Sequence, residues 1–168
     1  MRRTYIAAAI LLLGFTAFAA DPVDLGSSRY LEPSVNGFYD LLVTMDQDGT
    51  VHLLAQPYDY ALTPAEKDRL TAIVSAGSRL LDIAATNKTT VDFQKLLGEV
   101  YMSISNGRIT ADFRTAGWQQ SYVVLTIFNG GQNRILQLSK AQTDALLSNL
   151  NKAGDAASDL QKQLALFQ

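Results

Sequence analysis

The chain has 168 residues, of which 48% are hydrophobic and 18% are charged, a composition typical of one globular domain and not of a disordered or wholly membrane-embedded protein. It contains no cysteine, which excludes disulfides, thiol catalysis, cysteine metal sites and a lipoprotein anchor. Its net charge of −2 gives phosphate backbones no general attraction, so nucleic acid is not an expected partner.

The first 19 residues have the pattern of a cleaved signal peptide. Arg2 and Arg3 precede an apolar run from Tyr5 to Phe15, and Ala17-Phe18-Ala19 forms an A-x-A cleavage signal. The run is short for a transmembrane anchor, which needs about 20 residues. We therefore predict an exported protein, periplasmic or secreted, with no membrane span after cleavage. The absence of cysteine favours a bacterial envelope over a eukaryotic secretory route.

Cleavage makes the chain more acidic. Without Arg2 and Arg3, the 14 basic residues fall to 12 against 16 acidic ones, so the net charge changes from −2 to −4. Residues 20–36 follow, with Pro, Ser and isolated apolar residues, and we expect an irregular N-terminal lead there. Residues 37–168 are then predicted to form a single α+β domain.

The domain is predicted to begin with a β-hairpin. Apolar runs from Phe38 to Met45 and from Thr50 to Gln56 flank Asp48-Gly49, a dipeptide typical of tight hairpin turns. A loop is expected next, at Pro57-Tyr58-Asp59-Tyr60.

A capping box predicts the start of the first helix. The Thr63 hydroxyl can accept from the backbone three residues on, Glu66 can reach back to the cap, and Pro64 suits the first helical position. We expect the helix to reach about Thr86, because one face carries apolar or small residues at helical spacing. These residues are Leu70, Ile73, Val74, Gly77, Leu81 and Ala84. Residues 91–97 fit either a short helix or an extended connector.

The second half reads as four strands and a helix. Alternating apolar and polar residues on both sides of Asn106-Gly107 predict a hairpin with one solvated face. The strand from Tyr122 to Phe128 is apolar on both faces, which indicates a central place in the sheet. Gly130-Gly131 then turns into the strand Arg134 to Leu138. Ser139 begins a second capping box, ahead of a helix from Lys140 to about Leu166.

The predicted order is therefore ββα-ββββα. An antiparallel sheet of hairpins with one apolar face needs a cover, and two amphipathic helices supply it, so we expect a two-layer α+β sandwich. The unit LLVTMDQDGTVHLLA with LTPAEKDRL also parallels VVLTIFNGGQNRILQ with LSKAQTDAL, which is compatible with an internal duplication. The segment QPYDYA has no counterpart in this alignment.

Four strands followed by a helix resemble, in topology, the whirly and PUR-type nucleic-acid folds. The resemblance implies nucleic-acid binding through the sheet. Neither family's sequence motif is present, however, and the acidic charge and predicted export argue against that activity.

Two segments carry the candidate binding residues. Aromatic side chains on loops offer a large contact area at low entropic cost, so they can anchor a partner or support a sugar ring. They can also act as lids over the core. The predicted ligand or partner contacts are Tyr58, Asp59 and Tyr60 in one segment and Trp118 and Gln119 in the other.

Catalytic and metal sites are not predicted. His52 is the only histidine, and on a strand it would point away from Val51 and Leu53, as a surface or cross-strand residue does. The acidic turn from Asp46 to Thr50 lacks the remaining ligands of a calcium loop. No cofactor is expected.

Three functions remain open from the sequence. The first is a non-enzymatic exported module that binds a protein or a small ligand. The second is an envelope hydrolase or enzyme inhibitor that uses Asp or Glu. The third is a nucleic-acid binder, on topology alone. A homodimer through the sheet edges or the helix faces is compatible with each.

Overall fold

The structure is a computed structural model that describes residues 21–166. The predicted signal peptide, residues 1–19, lies outside the described residues. The elements in chain order are β1 (Val23–Glu32), β2 (Gly37–Met45), β3 (Val51–Ala55), β4 (Tyr58–Leu62), α1 (Pro64–Thr86), β5 (Asp92–Met102), β6 (Gly107–Ala116), a short 3-10 helix (Trp118–Gln120), β7 (Ser121–Asn129), β8 (Gln132–Leu138) and α2 (Lys140–Ala165).

The predicted α+β class is confirmed. All eight strands belong to one sheet in the order β4-β3-β2-β1-β8-β7-β6-β5, and every neighbouring pair is antiparallel. Both helices pack on the same face of this sheet, which we call the inner face. Alternate residues of each strand point inward and form the core, including Leu41, Val43, Leu53, Ile109, Leu125 and Leu136.

The predicted order ββα-ββββα agrees roughly with the structure but lacks two strands, in segments that were expected to be irregular or loop. Residues 20–36 contain β1, whose alternation was obscured by a register shift between Asp24 and Gly26. The predicted loop at Pro57 to Tyr60 contains β4, which pairs with β3 after a two-residue turn. The observed order is ββββα-ββββα. Of the ambiguous residues 91–97, residues 92–97 lie in β5. Strand β1 belongs to the same sheet as the other seven strands.

This order changes the relation between the two halves. In the sequence alignment, the hairpin matched with β7–β8 is β2–β3. In the structure, however, the hairpin directly before α1 is β3–β4, just as β7–β8 is the hairpin directly before α2. The skipped segment QPYDYA supplies the missing strand. Both halves thus share the order of four strands and a helix.

The predicted start of α1 is confirmed. The Glu66 backbone N–H donates to Thr63 Oγ1 at 3.4 Å, and the Thr63 N–H donates to Glu66 Oε2 at 2.8 Å. The other carboxylate oxygen, Oε1, accepts from the Ser103 N–H at 2.9 Å. Burial alone would raise the pKa of Glu66, but these hydrogen bonds outweigh it and lower the pKa. At the start of α2, the Ser139 N–H donates to Gln142 Oε1 at 2.8 Å.

Both helices approach the sheet closely at glycines. A Cβ at Gly77 of α1 would lie 2.6 Å from Val123 Cγ2 on β7, and one at Gly26 of β1 would lie 2.6 Å from Asn149 Oδ1 on α2. The helices are joined to each other where the Ser78 hydroxyl donates to Asp144 Oδ1 at 2.7 Å. Neither helix in the described residues is long and apolar enough to cross a membrane.

The sheet is strongly curved around the helices. Arg134 of β8 and Tyr58 of β4 are separated by three strands, a span of about 19 Å if the sheet were flat, yet the guanidinium carbon lies 5.1 Å from the Tyr58 ring centroid. The curvature brings the edge strands β4 and β5 towards each other. At that point Ser105 Oγ, in the turn after β5, accepts from the Ala61 N–H of β4 at 2.7 Å.

Candidate functional site

Two adjoining cavities lie along the face of the sheet opposite the helices, here called the outer face, and the second also reaches the start of α2. The first, called the tyrosine cavity, has a volume of about 570 Å³ and lies over β1 to β4. Its lining residues are Ser27, Phe38, Tyr39, Asp40, Leu42, Leu54, Gln56, Pro57, Tyr58 and Asp59.

The second, called the glutamine cavity, has a volume of about 450 Å³ and lies where β8 and β7 meet the 3-10 helix and the start of α2. Its lining residues are Leu31, Phe38, Gln119, Gln120, Ser121, Tyr122, Gln137, Ser139 and Gln142. Phe38 lines both cavities, so together they form one groove, called the outer groove.

Strand pairing explains why Phe38 lies at the junction. Phe38 opens β2 and pairs with Leu31 of β1, which in turn pairs with Gln137 of β8. Directly paired residues point to the same face, about 5 Å apart, so these three side chains form a row across the outer face. The ring of Phe38 is 59% exposed, and the Arg29 guanidinium lies over it, 5.4 Å from its centroid.

The wall of the tyrosine cavity is held by a clamp from the second half of the chain. The Arg134 guanidinium carbon lies 5.1 Å from the ring centroid of Tyr58 and 5.8 Å from that of Tyr39, distances at which a cation attracts an aromatic face. Arg134 Nη2 also donates to the Gln56 carbonyl oxygen at 3.2 Å. Strands β2 and β4, and the turn before β4, are therefore joined to β8 behind the cavity.

Buried neighbours complete this clamp. Arg134 Nη2 donates to the Tyr30 hydroxyl at 3.3 Å, and its Nε lies 3.3 Å from Glu32 Oε2. The Tyr30 ring stacks on Tyr39 with centroids 5.9 Å apart. Burial raises the pKa of Tyr60 to about 12 and also raises the pKa of Tyr30. Both phenols are therefore neutral at physiological pH and act as packing and hydrogen-bonding groups.

At the rim of the tyrosine cavity, His52 joins two carboxylates. Its Nδ1 lies 2.9 Å from Asp59 Oδ1, and its Nε2 lies 3.1 Å from Asp46 Oδ2. Both bonds form together only when both ring nitrogens carry a proton. Burial alone would lower the pKa of His52, but Asp59 and Asp46 outweigh it and raise the pKa. When both nitrogens are protonated, the ring holds the carboxylate of Asp59 in place at the rim.

The structure brings together only some of the sequence-predicted site residues. Tyr58 and Asp59 line the tyrosine cavity, and Gln119 lines the glutamine cavity. Tyr60 is only 3% exposed, on the inner face. Trp118 is 42% exposed, but it lies at the end of α1, where its backbone N–H donates to the Thr89 carbonyl oxygen at 2.6 Å. It lines neither cavity of the groove.

Sequence reasoning missed the two residues that organise the groove, Phe38 and Arg134. The sequence offers one indication for Phe38, an aromatic residue in the polar register of a hairpin strand, two positions before Asp40. For Arg134 it offers none, because the rings that it contacts belong to the other half of the chain.

The groove combines aromatic rings, neutral amides and hydroxyls with two carboxylates at one end. This arrangement suits non-covalent binding, in which rings provide contact area and polar groups provide orientation. Among the described residues, no group of three or more His, Cys, Asp or Glu side chains is placed to hold a metal ion. Comparison with protein families, characterised proteins and solved structures gives no match to the chain.

Proposed function

We propose that the protein is an exported, non-enzymatic binding module that holds its ligand in the outer groove. The observation that carries this proposal is that two cavities adjoin at the exposed side chain of Phe38, which lines both. Scattered exposed apolar residues are ordinary on a protein surface. Phe38 differs because it lies where two concave sites join, each within the range of about 300–1,000 Å³ that is typical of ligand pockets.

The supports of the groove favour binding as its role. The rings of Tyr39 and Tyr58 are held from behind by Arg134, and Asp59 is held by His52. Side chains that are fixed before the ligand arrives lose little conformational freedom on binding, which improves affinity. The export part of the proposal rests on the pattern of residues 1–19 and on the lack of cysteine.

Phe38→Ala tests the proposal, with Trp118→Ala as the matched control. Both residues are exposed aromatics, but only Phe38 lines the groove. The experiment screens the mature chain by thermal shift against sugars, peptides, nucleotides and metals. A ligand at about one hundred times its Kd stabilises the fold by about 2.7 kcal/mol. We expect Phe38→Ala to weaken the best ligand at least about tenfold, about 1.4 kcal/mol, and Trp118→Ala to leave its Kd unchanged.

The reverse pattern, with binding lost in Trp118→Ala and kept in Phe38→Ala, would place the site at the end of α1 and refute the groove. Unfolded Phe38→Ala protein is recognised by its circular dichroism. In that case Phe38→Leu, which keeps an apolar side chain but removes the ring, replaces it in the same comparison.

A hydrolase or enzyme inhibitor that uses acidic residues is the second candidate. Its support is that Asp40 and Asp59 line the same cavity. Their strands, β2 and β4, are separated by β3, so the backbones are about 10 Å apart across the sheet. Both side chains are about half exposed or more. Turnover of a bound ligand that disappears in Asp40→Asn or Asp59→Asn, with binding retained, would establish this candidate over the first.

We also propose that the two halves arose by duplication. The shared order of four strands and a helix supports this origin, as do the capping residues Thr63 and Glu66 in one half and Ser139 and Gln142 in the other. The groove would then be a feature added to the repeat. The tyrosine cavity lies on the first half alone, and the glutamine cavity spans the junction of the halves.

A further inference from the structure

The glutamine cavity is chemically unlike the rest of the surface. Four glutamines, Gln119, Gln120, Gln137 and Gln142, converge there from the 3-10 helix, β8 and the start of α2. Two serines, two aromatic rings and one leucine complete the lining. None of these nine lining residues carries a charge at neutral pH, although 18% of the whole chain is charged.

The hydrogen bonds within the cavity determine which groups can meet a ligand. Gln142 Oε1 accepts from the Ser139 N–H, so the NH₂ group of Gln142 remains to donate. The Ser121 hydroxyl donates to Thr115 Oγ1 at 2.8 Å, so its oxygen remains to accept. Within residues 21–166, the side-chain amides of Gln119, Gln120 and Gln137 have no hydrogen-bond partner in the protein, and each offers both donors and an acceptor.

A ligand that fills this cavity must satisfy those amides without bringing a charge. Buried polar groups that lose water need hydrogen-bond partners, and an ion would need an opposite charge that the lining does not provide. Hydroxyl groups both donate and accept, and therefore match mixed amide donors and acceptors. The apolar face of a sugar ring also suits an exposed aromatic ring such as Phe38, which lies at the mouth of the cavity.

A peptide fits the same surface less well. Peptides commonly gain affinity by adding a strand to an open sheet edge, but β1, β8 and β7 each have a neighbouring strand on both sides. A ligand in the glutamine cavity thus lies over the interior of the sheet, where Leu31 pairs with Gln137, and not beside an edge strand. The opposite end of the groove carries Asp40 and Asp59, which disfavours anionic chains.

We infer that the outer groove binds a neutral oligosaccharide, with one sugar unit in the glutamine cavity and the next units crossing Phe38 towards Tyr39 and Tyr58. This inference rests on the proposed function and adds the ligand class to it. The glutamines supply orientation and specificity, and the exposed side chain of Phe38 supplies apolar contact area.

Isothermal titration of the mature chain with cellohexaose, maltohexaose and chitohexaose tests the inference, with hexagalacturonate as the charged counterpart. We expect at least one neutral hexasaccharide to bind and hexagalacturonate not to bind. Replacement of both Gln119→Leu and Gln137→Leu removes two amides at similar volume, and we expect it to weaken the neutral sugar at least tenfold. Gln47→Leu, in the exposed turn between β2 and β3, is the matched control and leaves the Kd unchanged.

The outcomes separate the ligand class from the groove itself. If a peptide or oligonucleotide binds in a manner that depends on Phe38 and no hexasaccharide binds, the assignment of a sugar ligand is refuted, but the groove remains the binding site. If a hexasaccharide binds with an unchanged Kd in both Phe38→Ala and the double glutamine variant, the groove is not the binding site, and both proposals are refuted. Binding of hexagalacturonate at the affinity of the neutral sugars overturns the assignment of a neutral ligand.

Discussion

His52 links the electrostatics of the groove to pH. Its folded-state pKa is raised above the unfolded value, which is about 6.5. A group with a raised pKa stabilises the fold fully below its unfolded pKa, and this stabilisation is lost as the pH rises through the folded-state pKa. The facing groups that create it are the carboxylates of Asp46 and Asp59.

Comparison of the wild type with His52→Gln isolates this contribution. We expect the wild type to exceed the variant in free energy of unfolding by about 1–2 kcal/mol at pH 5.5, and by clearly less at pH 9, where the ring is neutral. Urea denaturation at both pH values measures the two differences. Asp48 does not interfere, because hydrogen bonds from Thr50 lower its pKa and it titrates in the acid range. The same difference at pH 5.5 and pH 9 would show that the charged ring is not the cause.

The candidate residues show which part of a site a sequence can reveal. Tyr58, Asp59 and Gln119 lie in the groove because polar and aromatic residues at strand ends are exposed on either side of a turn. The loop expected at residues 57–60 groups Tyr60 with them, whereas β4 is a strand in which Tyr60 is buried in the core. Arg134 could not be found, since its partner Tyr30 lies 104 residues away in sequence.

Helix α1 packs on the sheet at a distance set by a glycine. A Cβ at Gly77 would lie 2.6 Å from Val123 Cγ2, and Val123 is fully buried, so it has little room to move. We expect Gly77→Ala to lower the free energy of unfolding by about 1–3 kcal/mol, because overpacking displaces α1 from β7.

Gly154 offers the matched control, because it lies in helix α2 with no atom within 4 Å of an added Cβ. Alanine is the better helix former there, so we expect Gly154→Ala to raise the free energy of unfolding by up to about 1 kcal/mol. Urea midpoints of the two variants measure the contrast. Equal and positive effects would mean that α1 lies farther from β7 than the structure shows.

The helices were predictable and two strands were not, for physical reasons. A capping box and apolar residues at helical spacing are local, so they specified α1 to the residue, Pro64–Thr86. Strand β1 carries Ser28 and Glu32 on its buried side and a register shift near its start, so its apolar residues do not alternate. Strand β4 has five residues directly after Pro57, and a proline beside two tyrosines and an aspartate is typical of a loop.

The two halves of the chain are fastened together at Ser105. Its hydroxyl accepts from the Ala61 N–H at 2.7 Å, and Ala61 is buried. We expect Ser105→Ala to cost about 1–3 kcal/mol of stability, since a buried N–H is left without a partner, and to accelerate hydrogen exchange of the Ala61 amide.

Ser103→Ala is the control in the same turn, because Ser103 contacts Glu66, whereas the Ala61 amide is bonded to Ser105. Hydrogen exchange followed by NMR compares the two variants residue by residue. If both variants exchange the Ala61 amide at the wild-type rate, the hydroxyl does not fasten the edge strands.

The pairing of β1 with β8 must form late in folding. Strand β1 can join β2, β3 and β4 in a meander as soon as they are available, but its other flank waits for Gln137, the partner of Leu31. Helix α2 also reaches back to β1, where Lys152 Nζ donates to the Leu25 carbonyl oxygen at 3.0 Å. In a chain that emerges from its N-terminus, the contacts of the first strand are therefore complete only after the last strand and the last helix have emerged. Such long-range closure slows folding, so the complete sheet forms only after the C-terminal strand and helix are available.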